Sequence, residues 1–451
     1  MRNVLLVTID SLRADHVGHL GYHRDTTPTI DSIANTSLTF SNAFAHACST
    51  RPSFPTILTS VYPLMYGGFE RISKEQTVLA EPFSDAEYET AGFHSNLYLS
   101  ADFGYDAGFD TFFDSKSDPT RLAKIRQQVK RRLDSSSPIY QAIFKLYKLF
   151  ESKAGTDLGA TYVDATKTTD LAIDWIRQRS SEQPKFLWVH YMDVHHPYVP
   201  PAKHQRTFRD EPISEREAIQ LRRKMLESPT EITETELAKL IDLYDAEIRY
   251  TDAEISRLVE TVTSEWGETI TAITADHGEE FLEHGGFSHT STFHDEVVHV
   301  PFVLDVGVKA GVYEELVGLL DIAPTLLEYA NIAIPDSYEG HSLQRLIKDD
   351  EWNRVSILGD WANRDSGETV FSYRDTTWKY ILTNDVAKLY DLNTDPDEQQ
   401  NVAKTYPDII LELQQKINAH KKHLESTATD IESVEMEESV KQRLRNLGYH
   451  E

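Results

Sequence analysis

The chain has 451 residues, 40% hydrophobic and 26% charged, which suffices for one large globular domain and a smaller one. Its 45 basic and 73 acidic residues give a net charge of -28, which argues against general nucleic-acid binding because phosphate neutralisation needs clustered Lys and Arg. A strand pattern from residue 3 leaves no room for a secretory signal, no apolar run reaches the ~18 residues of a transmembrane segment, and a single cysteine excludes an intrachain disulfide. We therefore expect a cytoplasmic protein.

Short apolar runs alternate with helical patterns along most of the chain, which is typical of an α/β fold. We predict a mostly parallel central sheet flanked by helices. The predicted strands cover residues 3–9, 38–40, 94–98, 186–191, 269–275 and 300–304, and the predicted helices cover residues 27–34 (a capped start at Thr27-Pro28), 161–179, 231–264, 317–330 and 405–424.

The pattern changes near residue 336. Residues 372–381 and 388–392 alternate in polarity like antiparallel strands, with residues 383–385 available as the turn between them. Six acids and no bases occupy residues 425–439, so we expect a flexible link there. The predicted organisation is a large main domain over 1–335, a small C-terminal α+β subdomain over 336–424, and an acidic link and terminal tail over 425–451.

A basic stretch interrupts the acidic chain over residues 121–153, where nine bases accompany two acids. Within it, Ile139, Ile143 and Leu146 recur at helical spacing. We favour an amphipathic pair of helices packed on the main domain, because apolar residues at this spacing usually belong to a core. The alternative is a lid or membrane-surface element, in peripheral membrane contact, that attracts an anionic substrate or lipid.

Two of the predicted strands end in residues that bind metal ions. Residues 3–9 lead into Asp10, and residues 269–275 lead into Asp276 and His277. Because parallel strands direct their carboxyl ends into one crevice, we expect these side chains to converge. Two carboxylates suit a divalent cation, and an imidazole shifts the choice toward Mn²⁺ or Zn²⁺. The alternatives are a helix N-cap at Asp10 and a strand-to-turn corner at Asp276.

A hydroxyl precedes a helix start at Thr50, two residues before Pro52. If Thr50 were the fourth ligand, coordination would lower the pKa of its hydroxyl and make it a nucleophile. Thr50 could equally be an N-cap, since Thr followed by Pro is a common helix start. The two roles are compatible, because a helix N-terminus also favours an anionic group under attack.

Several short motifs follow one another in a specific order. They are Asp10, Thr27-Pro28, Thr59-Ser60-Val61-Tyr62-Pro63, His195-His196-Pro197-Tyr198, Asp276-His277-Gly278-Glu279, residues 321–327, Leu389-Tyr390-Asp391-Leu392, Asp395-Pro396 and Asn401. In this order, and over nearly its whole length, the chain resembles the sulfatase family within the alkaline phosphatase superfamily. The resemblance implies an alkaline phosphatase-like fold and metal-dependent cleavage of sulfate or phosphate esters.

The resemblance also implies roles for individual residues. Asp10, Asp276 and His277 match the metal ligands of the family, and Thr50 matches its nucleophile. His195 matches a histidine that contacts the substrate and protonates the leaving group, work for which a near-neutral pKa is suited. His289 lies where the family places a Lys or His that contacts the anionic oxygens of the substrate. The alternatives for these two are a turn histidine at His195 and an idle member of a histidine-rich stretch at His289.

The chain departs from the family pattern at the nucleophile. Sulfatases use a formylglycine made from Cys or Ser in a C/S-x-P-x-R frame, whereas this chain has Thr50 at the nucleophile position and Phe54 at the arginine position. Cys48 is not followed by the Pro and Arg of that signal. Threonine cannot become formylglycine, so Thr50 resembles instead the phosphothreonine-forming phosphoglycerol transferases and phosphodiesterases. Ser11 replaces the second acid of the opening Asp-Asp, which makes Mn²⁺ our first choice over Ca²⁺, Mg²⁺ or Zn²⁺.

These observations predict in-line attack by metal-bound Thr50 on the ester of an anionic sugar, lipid or small molecule, with phosphate preferred over sulfate. A second hypothesis is a two-metal phosphatase or phosphodiesterase in which Asp193, His196 or His289 holds another ion. A third is a non-catalytic binder of anionic glycans or lipids that uses residues 121–153.

Overall fold

The structure is a computed structural model that describes residues 1–66, 71–115, 162–179, 182–289, 292–348, 352–363, 366–427 and 434. The strands of these residues are β1 (Asn3–Ile9), β2 (Leu38–Phe40), β3 (Ala43–Phe44), β4 (Glu89–Phe93), β5 (Thr111–Phe113), β6 (Lys185–Tyr191), β7 (Thr269–Ala275), β8 (Glu280–Phe281), β9 (Phe287–Ser288), β10 (His299–Val300), β11 (Phe302–Asp305), β12 (Gly311–Tyr313), β13 (Val317–Gly318), β14 (Ile357–Ala362), β15 (Thr369–Arg374), β16 (Trp378–Thr383) and β17 (Val386–Asp391). Their α-helices are α1 (Pro28–Ala34), α2 (Thr50–Thr59), α3 (Ala80–Asp85), α4 (Ala165–Arg177), α5 (Ala202–Gln205), α6 (Glu215–Glu227), α7 (Glu234–Trp266), α8 (Asp295–Val298), α9 (Ile322–Tyr329), α10 (Gln344–Ile347) and α11 (Pro407–Thr427).

The main sheet has eight strands in the order β12-β2-β11-β7-β1-β6-β4-β5. Neighbouring strands from β7 to β5 are parallel, and β11 pairs antiparallel with both β7 and β2. β1 lies near the centre of the sheet, and its residues Val4 to Val7 are fully buried. A continuous apolar run is what a parallel strand covered on both faces requires.

The register of the sheet places the predicted metal ligands side by side. Ile9 of β1 pairs with Ala275 of β7, so Asp10 and Asp276 follow at the same edge of the sheet. Ile9 also pairs with Tyr191 of β6. The crevice beyond the carboxyl ends of these three strands is therefore the place where polar side chains of distant segments converge.

Helices cover the sheet, and their capping explains where the longest begin. Thr233 precedes the 33-residue helix α7 and forms a capping box with Glu236. Asp164 caps α4 by accepting a hydrogen bond from the backbone N–H of Lys167.

The mostly parallel main sheet and the helices that flank it confirm the predicted α/β fold. Among the helices of the described residues, none combines the length and the apolar composition that crossing a membrane requires.

Several predicted elements differ from the structure. The strand predicted over residues 94–98 is wrong, because β4 ends at Phe93 and the side chain of Asn96 caps a short 3-10 helix. Residues 372–381 form two strands instead of one, since Asp375 accepts backbone hydrogen bonds from Thr377 and Trp378 and turns the chain.

Smaller corrections concern three other elements. Pro301, which has no N–H to donate, separates β10 from β11 where one strand was predicted over 300–304. Thr27 bonds the side chain of Asp31 and does not cap α1 through its hydroxyl. The helix predicted over 317–330 is shorter, because β13 and a 3-10 turn precede α9.

The C-terminal region has its own antiparallel sheet, in the order β14-β15-β16-β17, and α11 packs on it. Tyr380, Leu413 and Ile417 form a second apolar cluster with Val61 and Met65 of the main domain. α11 extends to Thr427, so the first residues of the predicted acidic link are helical. The rest of that link, except Val434, and the predicted insertion over 121–153 lie outside the described residues.

Candidate active site

Four buried side chains meet at the carboxyl ends of β1 and β7. The hydroxyl of Thr50 lies 3.2 Å from Oδ2 of Asp10 and 3.2 Å from Nε2 of His277. Nε2 of His277 in turn lies 3.7 Å from Oδ1 of Asp10 and 3.6 Å from Oδ2 of Asp276. All four side chains are fully buried. The structure thus brings together the four residues that the sequence nominates as metal ligands, and the roles themselves remain predictions.

The start of α2 holds Thr50 against this cluster. Ser49 has an extended backbone and precedes the helix, so Thr50 is the first residue of α2 and the N-terminus of the helix lies beside the cluster. One turn along, the hydroxyl of Ser53 donates a 2.6 Å hydrogen bond to the backbone carbonyl of Asp276. The N-terminus of α2 is therefore attached to the end of β7. Its partial positive charge stabilises an anionic group there.

The cluster has the properties of a site for a divalent cation. Two polar atoms, Oδ2 of Asp276 and Nε2 of His190, are buried and have no hydrogen-bond partner among the described residues. Burial and the neighbouring Asp10 raise the pKa of Asp276 well above its ordinary value. Burial would also raise the pKa of Asp10, but His190, His195 and His277 hold it below its ordinary value. Two buried carboxylates this close need a compensating positive charge, which a metal ion supplies.

His277 is oriented for coordination by its own backbone. Its Nδ1 lies 2.8 Å from the carbonyl of Gly278, and that contact requires Nδ1 to carry the proton. The lone pair of Nε2 then faces Thr50 and the two carboxylates. A second hydrogen bond of this kind is the usual support for a metal-binding imidazole.

The sequence interpretation missed two residues of the cluster, His190 and Asn96. Nε2 of His190 lies 3.5 Å from Oδ2 of Asp10, and Nδ1 lies 3.1 Å from the hydroxyl of Thr8. Asn96 donates a 3.4 Å hydrogen bond to the same oxygen of Asp10. His190 pairs with Thr8 in the sheet, so a parallel β1–β6 pairing could have predicted it. Asn96 was hidden by the wrong strand prediction.

A group of histidines adjoins the cluster. The ring centroid of His289 lies 4.2 Å from that of His277 and 5.1 Å from that of His195, whose ring in turn lies 4.3 Å from His196. The structure thus places both predicted substrate-contacting histidines, His195 and His289, next to the metal-binding cluster. His196 accepts a 3.3 Å hydrogen bond from Nε of Arg222.

The fold moves the pKa of His195 away from the near-neutral value of a free imidazole. Burial lowers the pKa of His195 to about 4, although the charge of Asp10 acts in the opposite direction. Burial and His277 likewise lower the pKa of His289. Both imidazoles are therefore neutral at pH 7, and a proton on either one needs a bound anion to stabilise it.

Glu279 contacts the imidazole ring of His289 through its carboxylate. Its Oε1 lies 3.3 Å from Nδ1 of His289, and Tyr198 donates a 3.1 Å hydrogen bond to its Oε2. Burial raises the pKa of Glu279 to about 7, while His195 and His277 act in the opposite direction. Glu279 therefore fixes the orientation of His289 and of Tyr198 in the His195-His196-Pro197-Tyr198 segment.

Two residues at which the chain departs from the formylglycine frame, Phe54 and Cys48, are both buried. Phe54, at the arginine position, packs edge-on against His190 with 4.8 Å between ring centroids. Cys48 is fully buried. An apolar ring therefore contacts His190 at the position where the formylglycine frame has an arginine.

Asp193 does not fit the two-metal hypothesis. Its Oδ1 accepts a 2.9 Å hydrogen bond from the backbone N–H of Ala165 at the start of α4. Neither of the groups of potential metal ligands among the described residues includes Asp193. Of the three candidates for a second catalytic ion, only His196 and His289 lie beside the cluster.

Comparison with known proteins agrees with the fold and the site. The sequence model of the Sulfatase family matches residues 2–332, and that of "N-sulphoglucosamine sulphohydrolase, C-terminal" matches residues 282–423. The chain therefore belongs to the sulfatase family, within the alkaline phosphatase superfamily, as predicted.

Similar curated proteins are arylsulfatases. Arylsulfatase K of Mus musculus is 28% identical over 292 residues, 56% of this chain and 52% of the mouse protein. An arylsulfatase of Clostridium perfringens is 26% identical over 442 residues, 89% of this chain and 90% of that protein. The chain thus spans about half the length of the mouse relative. The prediction of a sulfuric or phosphoric ester hydrolase agrees with these matches at the level of enzyme class.

Similar solved structures share the fold. The phosphonate monoester hydrolase of Agrobacterium radiobacter has a TM-score of 0.69 and 20% identity, with 94% of this chain and 96% of that chain covered. A protein whose structure was determined in complex with its substrate, D-glucosamine-2-N,6-O-disulfate, has a TM-score of 0.72 and 18% identity, with 94% and 98% covered. These matches confirm the predicted fold class.

Proposed function

We propose that this chain cleaves or transfers phosphate esters through a covalent adduct on Thr50. One observation carries the proposal. The Thr50 hydroxyl lies at a helix N-terminus, 3.2 Å from both Asp10 and His277, in a fully buried cluster that needs a cation. A solvent-exposed N-cap threonine needs no such neighbours. A nucleophilic alcohol needs them, since it must lose its proton as it attacks.

The identity of the nucleophile favours phosphate over sulfate. Formylglycine is generated from Cys or Ser, and a threonine side chain cannot yield it. An alcohol that has attacked phosphorus leaves a phosphothreonine, which water or a second alcohol can attack at the same phosphorus atom. The phosphonate monoester hydrolases among the similar structures have a phosphorus-centred reaction in their names. Sulfate ester cleavage is the second candidate, and the arylsulfatase relatives favour it.

Asp10, Asp276 and His277 would hold a divalent ion, together with the Thr50 oxygen. When bound, the ion would lower the pKa of the Thr50 hydroxyl and polarise the ester group. His190 adds another nitrogen beside Asp10, so the donor set contains both oxygen and nitrogen. This mixture suits Mn²⁺ better than Ca²⁺, which prefers oxygen ligands alone.

The chemical steps follow from the positions of the side chains. Oγ1 of Thr50 attacks phosphorus and forms a new P–O bond, while its proton leaves along the hydrogen bond to Asp10. The bond from phosphorus to the leaving oxygen breaks, and His195, protonated in the presence of the anionic substrate, gives that oxygen a proton. Water or a second alcohol then attacks phosphorus and gives its proton to the now neutral His195, while the P–O bond to Thr50 breaks and Oγ1 takes its proton back from Asp10. His289 and the N-terminus of α2 stabilise the equatorial oxygens.

The substrate that we propose is an anionic ester of a sugar, a lipid or a small molecule. Buried histidines, the N-terminus of α2 and a metal ion are all electrophilic toward such a group. We do not propose nucleic acid as a substrate, because the chain carries a net charge of -28 that repels a polyanion. We also propose that the protein acts in the cytoplasm.

The test compares p-nitrophenyl phosphate, bis(p-nitrophenyl) phosphate and p-nitrophenyl sulfate at equal concentration with Mn²⁺ present. We expect kcat/KM to be highest for one of the two phosphate esters and to be lost in Thr50→Ala. A higher kcat/KM for the sulfate would overturn the phosphate preference. Equal activity of the wild type and Thr50→Ala would overturn the mechanism, and inactivity of both on every ester would favour the non-catalytic binder.

A further inference from the structure

A second cluster of metal-binding side chains lies outside the Asp10 cluster. It consists of His284, between β8 and β9, and of His294 and Glu296, at the start of α8. One ligand atom from each of the three lies within 4.8 Å of the others. Their side chains are largely buried, with 13%, 4% and 9% of their surface exposed, respectively.

Two atoms of this cluster lack ordinary hydrogen bonds. Nε2 of His284 and Oε1 of Glu296 lie 3.2 Å apart, and neither makes a hydrogen bond of good geometry within the described residues. Nδ1 of His294 lies 3.9 Å from the same oxygen of Glu296 and 2.7 Å from the hydroxyl of Thr292, so it is already hydrogen-bonded and would exchange that partner for an ion. The two atoms of His284 and Glu296 form an ion pair with each other, and a cation that both of them bind would replace this pair with stronger interactions.

Charged groups of both signs surround the cluster, since Lys379 and Lys388 act electrostatically on His294, whereas carboxylates act on His284. Glu280 and Glu398 act electrostatically on His284 together with Glu296. Oε1 of Glu398 is another buried oxygen without a hydrogen bond in the described part of the chain, and its nearest cation is Nζ of Lys379 at 3.6 Å. Three carboxylates thus surround two imidazoles, and Lys379 is shared with Asp295.

We propose that His284, His294 and Glu296 bind a Zn²⁺ ion at a site separate from the catalytic one. Two imidazoles and one carboxylate are a ligand set that Zn²⁺ accepts, with a fourth position left for Glu398 or water. The His284 and His294 rings are stacked with 3.5 Å between centroids, so one of them must rotate to direct its lone pair at the ion. His284 can do so because it belongs to a short hairpin loop and is the most exposed of the three.

The ion would fix the segment that leads into the catalytic site. The backbone N–H of Glu279 donates a 3.2 Å hydrogen bond to the carbonyl of Glu296, and Gly278 donates one of 2.7 Å to Val297. His294 also contacts the hydroxyl of Tyr390 in the C-terminal sheet at 3.3 Å. The Zn²⁺ site would therefore connect the hairpin, α8 and the C-terminal subdomain. Its role is structural, with no contact to the reacting atoms.

The test counts Zn²⁺ ions bound per chain after removal of metal with EDTA, by titration with zinc sulfate in competition with a chromophoric chelator. We expect the wild type to bind one ion more than His294→Phe and one more than Glu296→Gln. His23→Gln, a change at an exposed histidine, is the matched control and should bind as the wild type does. Equal binding by the wild type and Glu296→Gln would overturn the proposal.

A second set of variants distinguishes metal binding at this site from metal binding at the catalytic site. In an Asp10→Asn, Asp276→Asn background, we expect one ion to remain, and Co²⁺ in its place to give the visible absorption of a tetrahedral centre. Further substitution of His294 by Phe should remove that absorption. If this background bound no ion at all, the proposal would be wrong. Circular dichroism and Tm establish that each variant is folded. If His294→Phe does not fold, Glu296→Gln is the variant that tests the proposal.

Discussion

Nε2 of His277 lies 3.2 Å from the hydroxyl oxygen of Thr50, although 227 residues separate the two along the chain. The contact exists because β7 ends beside β1 and because Ser53, on the first turn of α2, bonds the backbone of Asp276. A position at a helix N-terminus thereby becomes part of the cluster that we propose binds a metal ion.

Removal of the Thr50 hydroxyl should abolish turnover. We expect Thr50→Ala to lower kcat with an aryl phosphate by at least about 10³-fold and Thr50→Ser to retain part of it, because the nucleophilic oxygen is lost only in the alanine variant. The control is Thr56→Ala, whose hydroxyl on the same helix bonds only the carbonyl of Ser53 in the described contacts. A comparable loss in the control would point to damage to α2 instead of loss of the nucleophile.

Metal removal should reverse the stability order of the wild type and Asp276→Asn. With Mn²⁺ bound, we expect the wild type to have the higher Tm, because ligand binding to the native state stabilises it. In EDTA, we expect Asp276→Asn to have the higher Tm by a few degrees, because burial and Asp10 raise the pKa of Asp276 and make its charged form unfavourable. Differential scanning calorimetry measures both. A wild type that is more stable under both conditions would contradict the metal site.

Loss of His195 should depend on the leaving group. If His195 protonates the departing oxygen, His195→Asn should lower kcat for an alkyl phosphate by about 10²-fold or more. It should lower kcat for an activated p-nitrophenyl ester much less. His289→Asn is the matched comparison, because its role on the equatorial oxygens is the same for both esters. Equal losses with both esters in His195→Asn would assign the residue to binding rather than to proton transfer.

Asp193 should make stability depend on pH. Burial raises the pKa of Asp193 to about 8, and in the unfolded chain it returns to its ordinary value near 4. Its carboxyl group thus loses its proton more readily in the unfolded chain, so stability falls as the pH rises from about 4 to about 8.

Asp193→Asn should remove the contribution of Asp193 to this dependence, since an amide can still accept the hydrogen bond from Ala165. Relative to the wild type, we expect the variant to gain at least ~1 kcal/mol of unfolding free energy at pH 8 and little at pH 4. Urea unfolding at the two pH values checks this. A gain that is the same at both would show that Asp193 does not titrate in this range.

Part of the site could be predicted from the sequence because strand ends carry the signal. The runs that end in Asp10 and Asp276 are buried except at their first residues, and neighbouring parallel strands deliver their C-terminal residues to one edge of the sheet. Thr50 was found by its place before Pro52 and by the order of the family motifs.

Other parts could not be predicted, for physical reasons. His190 lies inside β6, and it is near Asp10 because β6 pairs with β1. The local sequence does not specify which strand pairs with β1. Asn96 caps a short 3-10 helix that resembled the continuation of a strand. The pKa of His195 depends on burial by segments distant in the chain, so its lowered value has no local signal.

The measurement that tests the central claim most directly is mass spectrometry of the acid-quenched enzyme during turnover of an aryl phosphate, with peptide mapping of the region around residue 50. The account predicts a phosphoryl group on Thr50 in the wild type, none in Thr50→Ala, and an unmodified thiol at Cys48. A phosphoryl group on any other residue during turnover, or turnover without an adduct on Thr50 under conditions that trap it, would contradict the account.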